Sequence, residues 1–228
     1  MRLKGIITTQ ALINSIRQIR YKKVVWVVFA ILAISIGLYP LTFLAVDTNT
    51  GLLGHKSEEL LSSVIWNFAF YMHIFLGGVA LIIGWSLFIK KFRVKNIGLH
   101  RTIGKIYVIL VLVSGITGFY IAVYATGGII AKLGFSGMSI AWLITTIIAY
   151  ISIRKRNIKK HQRWMIRSYA VTFVGVTFRL WMPILLFVLD MKFIEAYRVD
   201  SWISWILNLV LAELIIKKTV INEITSNK

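Results

Sequence analysis

Long apolar stretches divided by short polar ones set the pattern of this chain. Six of the stretches approach or reach membrane-spanning length, at about 24–46, 65–89, 103–127, 137–153, 162–189 and 201–216. A hydrocarbon core about 30 Å thick takes about 20 helical residues to cross. Each stretch therefore predicts a transmembrane helix, the short fourth one being extended by a few residues at its outer end. The expected fold is all-α: one polytopic domain over about residues 24–216 with six spans, spans two to five forming a four-helix core. Ahead of it, residues 1–23 make a basic segment in which Leu12, Ile13, Ile16 and Ile19 could form an interfacial helix face. Residues 217–228 make a short tail.

The polar positions orient this pattern. Basic residues crowd the first segment, the loops KKFRVKNIGLHR and RKRNIKKHQR after spans two and four, and the tail beginning Lys217–Lys218. The only lysines and arginines of the other loops are Lys56, Lys132, Lys192 and Arg198, and the first of these loops carries the acids Asp47, Glu58 and Glu59. The positive-inside rule places both termini and the basic loops in the cytoplasm. It also accounts for the net charge of +19 without a nucleic-acid partner, leaving membrane lipids as the expected surroundings. A composition 58% hydrophobic, with mean hydropathy +0.78, agrees, since no soluble core of this size would absorb it. Cysteine is absent, which excludes disulfides, thiolate metal sites and cysteine nucleophiles. Four histidines and eight acids leave little material for an ordinary hydrolase. Tryptophans 26, 66, 164, 202 and 205 fall near span ends and read as interfacial anchors.

The two basic loops can be laid over one another. Arg93 to His100 matches Arg154 to His161 at Arg, basic, Asn, Ile and His positions, with a constant offset. If spans two–three and four–five are related hairpins, spans three and five lie diagonally in the core. His100 and His161 then face one another across the inner mouth, beside Arg101, Arg163 and Arg167 and two helix N-termini. Such a mouth suits an anion: a phospholipid headgroup, a phosphate or the propionates of a haem, with His100 and His161 as candidate axial ligands. Arg167 also matches Glu213 in depth on the neighbouring span, an expected ion pair.

A second candidate site lies in the outer half. His73 is roughly 12 Å below the outer end of span two, and Arg179 roughly 15 Å down span five. Tyr120 and Tyr124 share this half, with Trp142 and Trp181 as possible aromatic walls. A charge at this depth costs a few kcal/mol unless paired or solvated, which marks Arg179 as functional. Pro183 cannot donate to the carbonyl of Arg179, so one turn should hold a guanidinium beside a freed backbone oxygen. A cation, an imidazole and phenols suit a quinone or another carbonyl-bearing molecule. Small residues at Gly77, Gly78, Gly84, Ser114, Gly115, Gly118 and Ala122 predict close helix contacts.

Three motifs then stand out: H-x-x-x-G-G from His73 to Gly78, H-R-x-x-G-K-x-Y from His100 to Tyr107, and H-x-x-W-M-x-R-S-Y-A from His161 to Ala170. Over about residues 65–185 the chain resembles a domain-of-unknown-function family of bacterial multi-pass proteins, known only as predicted membrane proteins. The resemblance implies a bacterial inner membrane and no particular chemistry. The layout more loosely resembles four-helix b-type cytochromes, although their haem ligands sit inside the helices. Two function classes follow. One is binding or transport of a small anionic, quinone-like or lipid-like ligand. The other is a haem- or quinone-linked electron-transfer subunit, whose electron donor would be another protein, since the chain has no iron–sulfur or flavin module. A structural partner of another membrane protein is a third.

Overall fold

The computed structural model describes residues 20–21, 23–44 and 53–226. The interfacial helix expected at residues 12–19 lies outside them. Six helices are long and apolar enough to cross a membrane: α1 Lys23–Phe43, α2 Val64–Phe88, α3 Ile97–Val123, α4 Gly128–Arg154, α5 Ile158–Val188 and α6 Phe193–Ile221. The described residues contain no strand, and the fold is an all-α polytopic bundle. α3, α4 and α6 begin six to nine residues before the apolar runs that announce them. Hydropathy falls where charged residues enter, but the helical backbone needs no apolar side chain to continue, so the helices outlast their apolar stretches.

Local chemistry sets the ends. Ser57 caps the short helix Glu58–Ser62, accepting a bond from the Leu60 amide, and Ser63 does the same for α2 at the Trp66 amide. Gly127 and Gly128 join α3 to α4 with φ of 99° and 74°, a region that side chains other than glycine rarely enter. Asn96 and Asn157 precede α3 and α5, and each accepts through its main-chain carbonyl the amide of the histidine four residues on, at 3.0 and 2.9 Å. Both helices thus open on an asparagine, although only the Asn157 side chain caps its helix, accepting from the Lys160 amide at 3.0 Å. His100 and His161 are each the fourth residue of a helix.

α2 packs on α3, α3 on α4 and α4 on α5, and a slighter α2–α5 contact closes the ring. α3 and α5 stand across the diagonal. α6 lies against α4 and α5, and the end of α1 rests on α2. There the two backbones meet at glycines: a Cβ on Gly37 would fall 2.8 Å from the carbonyl oxygen of Gly78.

Polar side chains tie the centre of the ring. The Tyr107 hydroxyl of α3 crosses the diagonal to Ser168 Oγ at 2.9 Å and Thr172 Oγ1 at 2.7 Å, both on α5. From α4, Thr146 Oγ1 joins Ser168 Oγ at 2.6 Å and Trp142 Nε1 donates to Thr172 Oγ1 at 2.8 Å. Tyr169 carries the linkage to α2, donating to the Leu81 carbonyl at 2.9 Å. Gly84 makes room for it, since a Cβ there would lie 2.4 Å from the Tyr169 ring and 2.9 Å from the Tyr107 ring.

At the end of the bundle carrying the basic loops, called here the basic end, Arg167 grips Glu213 of α6 in a two-point contact. Nε donates to Oε1 at 2.5 Å and Nη2 to Oε2 at 2.9 Å, with the guanidinium 4.5 Å above the Trp164 ring. The Glu213 side chain is 54% exposed, so the pair is worth about 1 kcal/mol rather than the several of an enclosed one. In a double-mutant cycle read by thermal unfolding in detergent, Arg167→Ala and Glu213→Ala should show a coupling of about 1 kcal/mol. Strictly additive losses would show that the contact contributes nothing.

Candidate functional site

Away from the basic end, the bundle is not filled. Thr172 is the last residue of the first part of α5; the helix breaks at Phe173 and resumes at Val174. Before the break α5 packs closely on α4, whereas beyond it Val174–Pro183 leans on α6. This divergence leaves a cavity of about 250 Å³ that touches all six helices and the segment carrying Leu53 and Lys56. Thr172 and Trp142 of the central cluster form part of its lining. Most of the remaining wall is apolar, with Phe70, Leu81, Met138 and Val171 among its members.

His73 enters this cavity from α2, held in one orientation by α3. Its Nδ1 lies 2.8 Å from the Ser114 carbonyl oxygen, and Ser114 Oγ donates back to the His73 carbonyl at 2.8 Å. A carbonyl can only accept, so Nδ1 carries the proton and Nε2 is left as an acceptor. Gly118 supplies the space for the ring, because a Cβ there would lie 2.6 Å from Nδ1. The imidazole edge also meets the Trp142 ring, 6.3 Å between centroids.

Arg179 lines the same cavity from α5. Pro183 indeed has no N–H for the Arg179 carbonyl, and a wider π turn follows at Ile184–Val188. The guanidinium, however, turns the other way, and Nη1 donates to the Gly175 carbonyl at 2.7 Å. Its plane covers the Tyr39 ring of α1, with 4.3 Å from Cζ to the centroid. Among the described residues no carboxylate pairs with it. Lys56 adds a second cation at the loop side, its Nζ donating to the Tyr124 carbonyl at 2.5 Å. Burial, with Lys132 nearby, pulls its ammonium down from the usual lysine range to about 8. The cavity thus offers one ring-nitrogen acceptor and two cationic donors, and among the described residues no acidic side chain lines it.

The other expected residues divide between two places. Tyr120 and Tyr124 do not line the cavity; their rings meet at a tilt with 5.3 Å between centroids, and Tyr124 lies at the surface. Trp181 is likewise outside the lining, while Trp142 belongs to it. At the basic end, His100 and His161 come close enough to interact electrostatically, with Arg93 acting on both and Arg101 on His100. His161 Nδ1 faces the Ala149 carbonyl at 2.9 Å, and His100 Nδ1 is buried without a partner. Arg101 is exposed and Arg163 half-buried there, and Arg167 is taken by Glu213. Among the described residues no cluster of three or more histidines and acids could hold a metal ion.

Sequence reasoning overlooked Thr172, Tyr197 and Trp66 in the lining, and Asp200, which is wholly buried on α6. Asp200 had a visible signal, an acid between apolar residues. The expected start of span six, one residue beyond it, placed it in a loop.

No curated protein and no solved structure matches the chain. A family model described as "Predicted membrane protein (DUF2306)" matches residues 70–216, a stretch that takes in most of α2, all of α3, α4 and α5, and most of α6. That match covers more than half of the chain, all three histidine motifs included, and the protein is a member of this family of predicted membrane proteins of unknown function.

Proposed function

We propose that the protein binds a small lipophilic molecule with a carbonyl or anionic head, quinone-like or lipid-like, in the cavity between its six helices. One observation carries this reading: Arg179 brings a positive charge that no carboxylate among the described residues pairs with to a mostly apolar cavity that His73 also lines. A guanidinium at such depth is costly unless something answers it. The Gly175 carbonyl and the Tyr39 ring take part of its field, and an oxygen-bearing head in the cavity would take more. The apolar wall then receives the body of the molecule. The histidine pair at the basic end supports the haem alternative less well, since each residue stands in the first turn of its helix.

Orientation completes the proposal: the basic end lies in the cytoplasm, both termini with it, and the cavity belongs to the outer half of the inner membrane. Reporter fusions in the loops around residues 56, 126 and 190 should read as external, and those around 96 and 156 as cytoplasmic. A cytoplasmic signal at 126 would reverse the assignment.

Trp66 and Trp142 line the cavity and report on its contents. A short-chain benzoquinone titrated into detergent-purified protein should quench their fluorescence saturably. Arg179→Leu should weaken that binding about tenfold or more while leaving the unfolding temperature unchanged or higher. Gly118→Ala, which displaces the His73 ring, should weaken it as well. Unaltered affinity in both variants would remove the head-group site from this cavity.

Lys56 gives a pH dependence with a definite sign. Its ammonium is charged below about 8 and neutral above, so a medium-chain carboxylate should bind several-fold less tightly as pH rises through that value. Lys56→Gln should flatten the profile. A profile of unchanged slope in the variant would mean that Lys56 does not meet the head.

A further inference from the structure

We propose that Asp200 is a proton-binding site beside the cavity, joined to it through Tyr197. Asp200 is 0% exposed, and neither Oδ1 nor Oδ2 has a hydrogen-bond partner among the described residues. The neighbouring groups that could serve it are engaged elsewhere. Ser204 Oγ, one turn along α6, comes near the carboxyl, but its single proton goes to the main-chain carbonyl of Asp200 at 2.6 Å, and Ser201 Oγ donates to that of Arg198 at 2.6 Å. Arg198 directs Nε to the Gly127 carbonyl at 2.6 Å.

The helices packed around this stretch bring nothing charged to the carboxyl. α4 approaches at Gly134, where a Cβ would lie 2.4 Å from Ser201 Oγ, and α5 approaches at Thr177, whose hydroxyl donates to the Ser204 carbonyl at 3.3 Å. The one titratable group that interacts with the carboxyl is the Tyr197 phenol, three residues earlier on the same helix face. Tyr197 itself lines the cavity.

An ionised carboxylate here would carry its desolvation cost with no opposite charge to offset it. Unsatisfied buried polar atoms call for a functional role or a small bound species. A proton on one oxygen removes the charge outright and needs no additional room. The phenol lies near the acid and lines the cavity without bonding the carboxyl directly, so exchange with an oxygen-bearing head would run through one bridging water. The proton site does not depend on what fills the cavity; the exchange with its contents rests on the ligand-binding reading above.

Infrared spectra of the full chain in lipid nanodiscs test both parts. At neutral pH the wild type should show a protonated-carboxyl C=O band that moves in deuterium oxide and is missing from Asp200→Asn. Tyr197→Phe should keep the band but slow its deuterium shift several-fold. A short-chain benzoquinone should displace the band in the wild type. No protonated carboxyl in the wild type would overturn the site, whether or not the variant folds, and so would a band that survives Asp200→Asn. A band indifferent to the quinone, in protein whose tryptophans the quinone quenches, would overturn the exchange. Without quenching, the cavity reading fails and the band still decides the proton site.

Discussion

Everything in this bundle hangs on five polar groups that cannot reach water. Tyr107, Trp142, Thr146, Ser168 and Thr172 come from three helices and satisfy one another between them. In hydrocarbon an unpaired hydroxyl or indole N–H costs several kcal/mol, so a shift of one helix along another would strand at least one of them. The cluster therefore fixes the relative height of α3, α4 and α5. Tyr169 at the Leu81 carbonyl, and the reciprocal bonds between His73 and Ser114, bring α2 to the same height. Apolar packing alone would not do this, because lipid tails are as apolar as the helix surfaces they compete with.

The cavity is the other side of the same arrangement. Thr172 is both a member of the cluster and the last residue before α5 breaks at Phe173. Below that point α5 is tied to α4; above it the helix follows α6. The space between has a floor that hydrogen bonds hold in place and walls that only side-chain packing defines. Polar groups that face such a space can be aimed with precision, as the doubly bonded His73 ring is. An acceptor at Nε2 and a donor at Arg179 are then fixed in position before any molecule arrives.

What the sequence made legible follows from which physical signal each feature leaves. The six spans leave a hydropathy signal, and its period is long enough to survive without an alignment. His73 and Arg179 were visible because a polar residue within an apolar run stands out; interhelical bonding is explanation enough for His73, as its bonds to Ser114 show, but a buried guanidinium is a costly way to join helices. Arg167 and Glu213 were paired by matching depth, which antiparallel neighbours preserve. Thr172 was not singled out, and Tyr107 stood only as the last position of a motif with no role given to it: Tyr and Thr are unremarkable in any apolar run, and only the diagonal crossing gives them meaning. The course of the Arg179 side chain was also beyond reach, since a missing N–H at Pro183 says which carbonyl is free but not which one a long side chain prefers. Tyr120 and Tyr124 had the right depth and the wrong azimuth, and depth is all that counting along a helix supplies.

α1 is the least buried of the six helices, and it lies outside the family's matched segment. Yet Ile36 and Pro40 form part of the cavity wall, and Tyr39 lies under the Arg179 guanidinium. Its backbone meets that of α2 at Gly37 and Gly78, with the Ile82 side chain packed against Gly37, and its Phe29 ring stacks on Phe173 of α5. The ring beneath the guanidinium therefore comes from outside the segment that the family model matches, and Arg179 has surroundings that the matched segment alone does not supply.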